Sequence, residues 1–197
     1  MMASGRPSVI LLGGPNGAGK STAAPALLRG SLGVTEFVNA DLLASGLSGF
    51  DPDRMAMTAG RIMIQRLREL AECHRSFAFE TTLASRSFAP WGARLIQSGY
   101  VFRLVYLWLP SADVAVARVA ERARMGGHHV PEETVRRRYN GGLWNFFRLY
   151  RPLTATWRMY DNTGVSAPRL IASGNGVATT RVRDTATWDA IRSRYEP

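Results

Sequence analysis

Gly14-Pro15-Asn16-Gly17-Ala18-Gly19-Lys20-Ser21 is a full match to the pattern GxxxxGK[ST], and Ser8-Val9-Ile10-Leu11-Leu12-Gly13 leads into it as a short apolar run. Behind it, residues 21–29 have helical spacing interrupted by Pro25. Strand, glycine loop and helix in that order are the context in which this pattern folds as a phosphate-binding loop. The glycines let consecutive N–H groups face one anion, and the following helix points its positive end at the same place. The reading assigns Gly14, Pro15, Asn16, Gly17, Ala18, Gly19, Lys20, Ser21 and Thr22 to the phosphates of a nucleotide. Lys20 is the only lysine of the chain; the other 24 of its 25 basic side chains are arginines. A compact ammonium on a thin stem reaches between β- and γ-phosphates where a forked guanidinium is too bulky, which explains the exception. Ser21 offers a hydroxyl to a magnesium ion bridging the same oxygens.

Outward from this loop, strands and helices alternate. Residues 36–39 read as a second strand ending at Asp41, and residues 52–73 as a long amphipathic helix with Met55, Ala59, Ile62, Met63, Leu67 and Leu70 at three- and four-residue steps. Residues 76–79 form a third strand running into Glu80-Thr81-Thr82, residues 88–97 a helix, and residues 100–109 a central strand ended by Pro110. Ser111 is the expected N-cap of a helix reaching about Met125, with Asp113 in its first turn. Gly126-Gly127 breaks it, and a second helix restarts after Pro131. Strands at 158–160 and 170–172 and a helix over 185–195 follow. The pattern predicts an α/β fold of three layers, a P-loop NTPase or kinase with a mostly parallel sheet, helices on both faces and a helical, arginine-bearing lid. Residues 1–197 read as one domain, with residues 118–138 as the lid-like segment.

Composition bounds the partners. The formal charge of +10 draws anions without choosing among nucleotide phosphates, sugar phosphates, RNA or an acidic protein. The apolar run at residues 9–12 is too short for a membrane span or a leader, so the expected location is the cytoplasm, with no membrane partner. Cys73, the single cysteine, forbids an internal disulfide and is expected as a small buried side chain. His128 and His129 lack the further spaced ligands of a zinc site. Trp144, Phe146, Phe147 and Trp157 are expected in the core rather than stacked on bases.

Phosphate binding alone does not make a reaction. Asp41, just past the carboxyl end of the second strand, lies at the edge where ligands sit in open α/β sheets and could act as general base; the alternative is a helix N-cap. Glu80 ends the third strand at the same edge, with Thr81 and Thr82 beside it, and could bind acceptor hydroxyls or hold magnesium through water; Thr81 and Asn39 are assigned with it to the substrate. Arg118 and Arg122, four apart, share one helical face and are the preferred pair to meet the transferring phosphate. A transporter-type ATPase would need an LSGGQ signature, but Leu47-Ser48-Gly49 is followed by Phe50 and no acidic pair follows an apolar run. A polynucleotide or nucleoside kinase is the other rival; nucleic acid is not the expected partner.

The ordered blocks resemble the zeta toxin family. They are Gly13 to Thr22, then Val38-Asn39-Ala40-Asp41, Phe79-Glu80-Thr81-Thr82-Leu83, Arg118-Val119-Ala120-Glu121-Arg122, Gly126-Gly127-His128-His129-Val130-Pro131 and Tyr160-Asp161-Asn162. The resemblance covers residues 8–175 and implies ATP- or GTP-dependent phosphorylation of a sugar hydroxyl, with UDP-N-acetylglucosamine as acceptor and an antitoxin protein as partner. It implies Asp41 as catalytic base, Glu80 as acceptor ligand and Arg118 as one of two phosphate-contacting arginines. Arg122, Arg124 and His128 compete for the second place.

Overall fold

The structure is a computed structural model, and it describes residues 5–127, 129–164 and 166–197, with Ser31 in its backbone only. A seven-stranded sheet runs in the order β2-β3-β1-β4-β5-β6-β7. β1 (Ser8–Gly13) is buried along almost its whole length and pairs in parallel with β3 (Phe77–Thr81) and β4 (Val101–Trp108). Burial on both faces is what a near-continuous apolar run in a parallel sheet means, and helices supply the cover. β2 (Glu36–Val38) extends the sheet on one side and β5 (Thr156–Asp161) on the other, both parallel to their neighbours. The sheet is therefore mostly parallel, with helices packed on it as in P-loop kinases, and β4 occupies its centre as the sequence predicts.

Register aims the site. Leu12 pairs with Glu80 and Gly13 with Thr81, so the carboxylate ending β3 sits level with the start of the phosphate loop. Val38 pairs with Phe79, which puts Asn39 and Asp41 beside the same loop. On the other flank Trp108 pairs with Asp161, placing the end of β5 against the loop's far side.

Several helix ends fall where the sequence puts them. α1 (Lys20–Ala24) continues as a wider turn over Pro25–Ser31, as Pro25 requires. α2 (Ala40–Leu47) and α3 (Ala56–Glu72) form the connection from β2 to β3, α3 being preceded by a short tight turn at Asp53–Met55. α4 (Phe88–Gln97) ends as expected at Ser98-Gly99. Ser111 caps α5 (Ala112–Arg124) by accepting from the Val114 N–H. Cys73 is exposed, contrary to expectation: it lies beyond Leu70, the last buried position of α3, where the helix has left the sheet. Among the described residues no helix is long and apolar enough to cross a membrane.

α6 (Glu132–Asn145) runs further than the expected end at Tyr139, and it is tied down. Tyr139 donates to the Leu109 carbonyl at 2.7 Å, and Asn145 donates to the carbonyls of Leu83 and Ala84. Gly142 lets the helix press on the segment after β3, since a Cβ there would lie 2.4 Å from the Thr82 carbonyl oxygen. Gly142→Ala should therefore destabilise the protein by about 1–3 kcal/mol, the clash outweighing the gain in helix propensity. At Gly141 a Cβ would meet Ala84 at an ordinary 3.7 Å, so Gly141→Ala should be neutral or stabilising by up to about 1 kcal/mol. Thermal melts of the two variants check the contrast; equal shifts would refute the close approach.

Beyond β5 the sheet turns antiparallel through β6 (Arg169–Asn175) and β7 (Ala178–Val182), and α7 (Thr185–Tyr195) packs Trp188 on Trp157 with ring centroids 5.3 Å apart. Phe146, Phe147 and Trp157 are core residues as expected. Trp144 is not: it is 38% exposed, with its face covered by the Arg148 guanidinium.

Candidate active site

Asn39 caps α2. Its side-chain oxygen accepts from the N–H groups of Asp41 and Leu42 at 2.8 and 3.2 Å. The N-cap alternative for Asp41 is thereby excluded, because the place is filled two residues earlier. Asp41 is exposed in the first turn of α2, where the helix dipole favours a carboxylate, and it lines a cleft of about 420 Å³ above the phosphate loop.

Asn16, Gly17, Gly19, Lys20, Ser21 and Thr22 form the cleft's floor, with Asn39, Asp41, Glu80 and Thr81 along one wall and Arg118 and Arg122 along another. Gly14, Pro15 and Ala18 do not line it. The first two turn their carbonyls to the Lys20 ammonium, each at 2.9 Å, and Ala18 is fully buried. Arg124 does not line it either: it points into solvent and pairs with Glu121. His128 lies outside the described residues.

Glu80 belongs to the phosphate-loop side of the cleft. One of its oxygens accepts from the Ser21 hydroxyl at 2.8 Å and from the Asn39 amide at 2.6 Å, and the other lies 3.5 Å from the Lys20 ammonium. Burial pushes the Lys20 ammonium below its ordinary value, against the pull of Glu80 and Asp41. A nucleotide's phosphates would favour the charged form further.

Arg138, on α6, also lines the cleft, along with Ala40 and Thr82. Its guanidinium reaches the Asn16 side-chain oxygen at 3.4 Å; burial and neighbouring Arg137 lower its pKa, while Asp41 raises it. In the sequence it is the last arginine of the lid-like segment 118–138, one of three in a row and not in the preferred pair Arg118 and Arg122. The available signal was helical spacing: Val135 and Tyr139 are core positions, and Arg138 is three residues from the first, at the margin of that face. Among the described residues four cations thus converge with two carboxylates, a balance that suits a polyphosphate.

Across the loop, Arg118 donates to the carbonyls of Asn162 and Thr163 at 2.9 and 2.5 Å and approaches that of Gly17 at 3.5 Å. Asp161 holds this turn by accepting from the Thr163 N–H and hydroxyl and from Arg169. Burial alone would raise the Asp161 carboxyl, but the bonds from Thr163 and Arg169 outweigh it and hold the group below its ordinary 3.8. The ionised form therefore stabilises the fold at neutral pH, and this contribution is lost as pH falls through the folded value. Asp161→Asn should lower the melting temperature at pH 7, with the gap to wild type narrowing below about pH 4. A gap independent of pH would mean that the carboxylate's charge does not hold the turn.

A mostly parallel sheet with the loop between β1 and α1, and acidic residues at the neighbouring strand ends, defines a P-loop kinase fold. The chain belongs to the AAA_33 family, whose model, an AAA domain, matches residues 9–139. An uncharacterized protein of Haemophilus influenzae is 28% identical over 128 residues, which is 64% of this chain and 88% of that protein. Among solved structures, a chain of the AvrRxo1-ORF1:-ORF2 complex with ATP superposes with a TM-score of 0.70 at 16% identity. The match covers 95% of this chain and 64% of that one, so this chain spans just under two thirds of its length. A structure from the PezAT chromosomal toxin-antitoxin system of Streptococcus pneumoniae gives a TM-score of 0.65 at 15% identity, over 98% of this chain and 80% of that one. These likenesses show the fold.

Proposed function

We propose that this protein is a kinase that binds ATP or GTP on the phosphate loop and transfers the γ-phosphoryl group to a hydroxyl of a small molecule. The observation that carries the reading is the freeing of Asp41: with Asn39 capping α2, the Asp41 carboxylate faces the cleft, close enough to Lys20 and Arg138 to affect their titration. A carboxylate so placed takes the proton of an attacking hydroxyl as its oxygen bonds to the γ-phosphorus and the bond to the β-phosphate oxygen breaks, releasing the nucleoside diphosphate. Lys20 neutralises charge on the β- and γ-oxygens, and Arg122 and Arg138 face the transferred group from fixed helices. In this reading residues 118–138 are less a hinged lid than a wall, because α6 is anchored to the loop after β3.

Ser21 and Glu80 fit a magnesium ion. The ion favours oxygen ligands, keeps much of its water and takes substrate phosphates, so one hydroxyl and one nearby carboxylate suffice on the protein side. Bound there, it would shield the β- and γ-oxygens. We place Glu80 with the metal and the donor rather than with the acceptor, which leaves Asp41 and Thr81 nearest the acceptor's side.

For the acceptor we propose a sugar hydroxyl of a nucleotide sugar such as UDP-N-acetylglucosamine, as in zeta toxins. The ordered blocks of the sequence support this, and so does the fold shared with a protein of the PezAT toxin-antitoxin system. The same reading takes the whole chain as one kinase domain, acting in the cytoplasm and held in check by an antitoxin protein. Incubation with γ-labelled ATP, magnesium and a panel of nucleotide sugars, nucleosides and aminoglycosides tests it. Label should pass to a nucleotide sugar; label passing only to another class would overturn the acceptor, and none passing at all would overturn the kinase.

A further inference from the structure

Tyr160-Asp161-Asn162 closes β5 beside the phosphate loop, and none of the chemistry above uses Asn162. We infer that Asn162 is a positioning residue for that loop: its side-chain amide holds the Ala18 carbonyl and so keeps the loop's N–H groups aimed at the phosphates. A loop that turns its N–H groups inward must turn carbonyls outward, and each buried one needs a partner. Those of Gly14 and Pro15 take Lys20, and that of Gly19 takes the Ala23 N–H of α1. The carbonyl of Ala18, a fully buried residue, takes the Asn162 amide at 2.7 Å.

Asn162 is itself fixed from two sides. Its N–H donates to the Trp108 carbonyl at 3.1 Å, and its own carbonyl accepts from Arg118 at 2.9 Å. Gly19 makes room for it: the residue sits at φ +73°, and a Cβ there would come within 2.7 Å of the Asn162 amide nitrogen. The glycine before Lys20 therefore meets two demands, a left-handed backbone and a close-packed neighbour. Arg118 reaches the Gly17 carbonyl from the same cluster, so Arg118 and Asn162 act on adjacent loop residues as one unit. In this arrangement Arg118 acts through the loop as well as facing the cleft.

The inference rests on the kinase reading only in taking ATP as the ligand, so the test reads binding and not transfer. Calorimetric titration of magnesium ATP into wild type, Asn162→Ala, Asn162→Asp, Arg118→Ala and the double variant Arg118→Ala/Asn162→Ala is the experiment. Losing the amide should raise the ATP Kd about tenfold. Asn162→Asp matches the native size but turns an oxygen toward the Ala18 carbonyl, and should bind no better than Asn162→Ala; it also serves should the alanine variant melt early. The double variant should bind within about threefold of the weaker single variant, because members of one unit are not additive. Single variants within about twofold of wild type, or effects that multiply in the double, would overturn the inference. Wild type that binds no ATP would instead remove the kinase reading, and the inference with it.

Discussion

Lys20→Met should cut phosphoryl transfer by roughly 1,000-fold or more while the chain stays folded. The Lys20 ammonium is almost fully enclosed, bonded to the Gly14 and Pro15 carbonyls and 3.5 Å from Glu80. In so dry a site its charge acts on the γ-phosphate with little screening. Methionine keeps the stem's volume, so the packing around it survives, and the variant also relieves the burial of a charge. The two structural effects oppose one another, which is why melting should change little while turnover collapses. Lys20→Arg should fail as well, since the enclosed stem leaves no room for a planar fork. Turnover of labelled ATP with a saturating acceptor, beside a thermal melt, decides it; activity within tenfold of wild type would remove Lys20 from the reaction.

Asp41→Asn should lower turnover by roughly 100-fold or more with little change in ATP affinity. The substitution is nearly isosteric and removes only the capacity to take a proton. The fold should not notice, because the cap of α2 is made by Asn39 and depends on no atom of the Asp41 side chain. Asn39→Ala offers the contrast. It would free the N–H groups of Asp41 and Leu42 and release Glu80 from one of its partners, so stability should fall by about 1 kcal/mol. Steady-state kinetics of Asp41→Asn across pH provide the check, and near-normal turnover would place the base elsewhere.

The phosphate loop and the succession of strands along the chain as far as β6 were legible because both are written in local pattern: an apolar run, glycines at set spacing, then helical periodicity. The caps of α2 and α5 differ in legibility for a physical reason. Ser111 precedes a clear helical pattern, whereas Asn39 and Asp41 are two chemically similar residues two apart, and only the backbone turn decides which one caps. Arg138 and the ties between Arg118 and the turn at Asn162 were hidden because they join residues 44 to 122 positions apart. β7 was not seen because its side chains are mostly exposed, which leaves no alternation of apolar and polar residues. Cys73 misled because burial of that residue type is a tendency, and the end of α3 overrides it.

The two margins of the sheet carry one more meaning. A strand at the rim presents an unsatisfied row of N–H and C=O groups that can template fibre-like stacking with other molecules. At one rim β2 is only three residues long, too short to recruit a partner strand. At the other, β7 carries Thr179, Thr180 and Arg181, and charge at a rim discourages such stacking. Arg181 thus gives the antiparallel margin of this mostly parallel sheet a second task, discouraging other chains from adding a strand there.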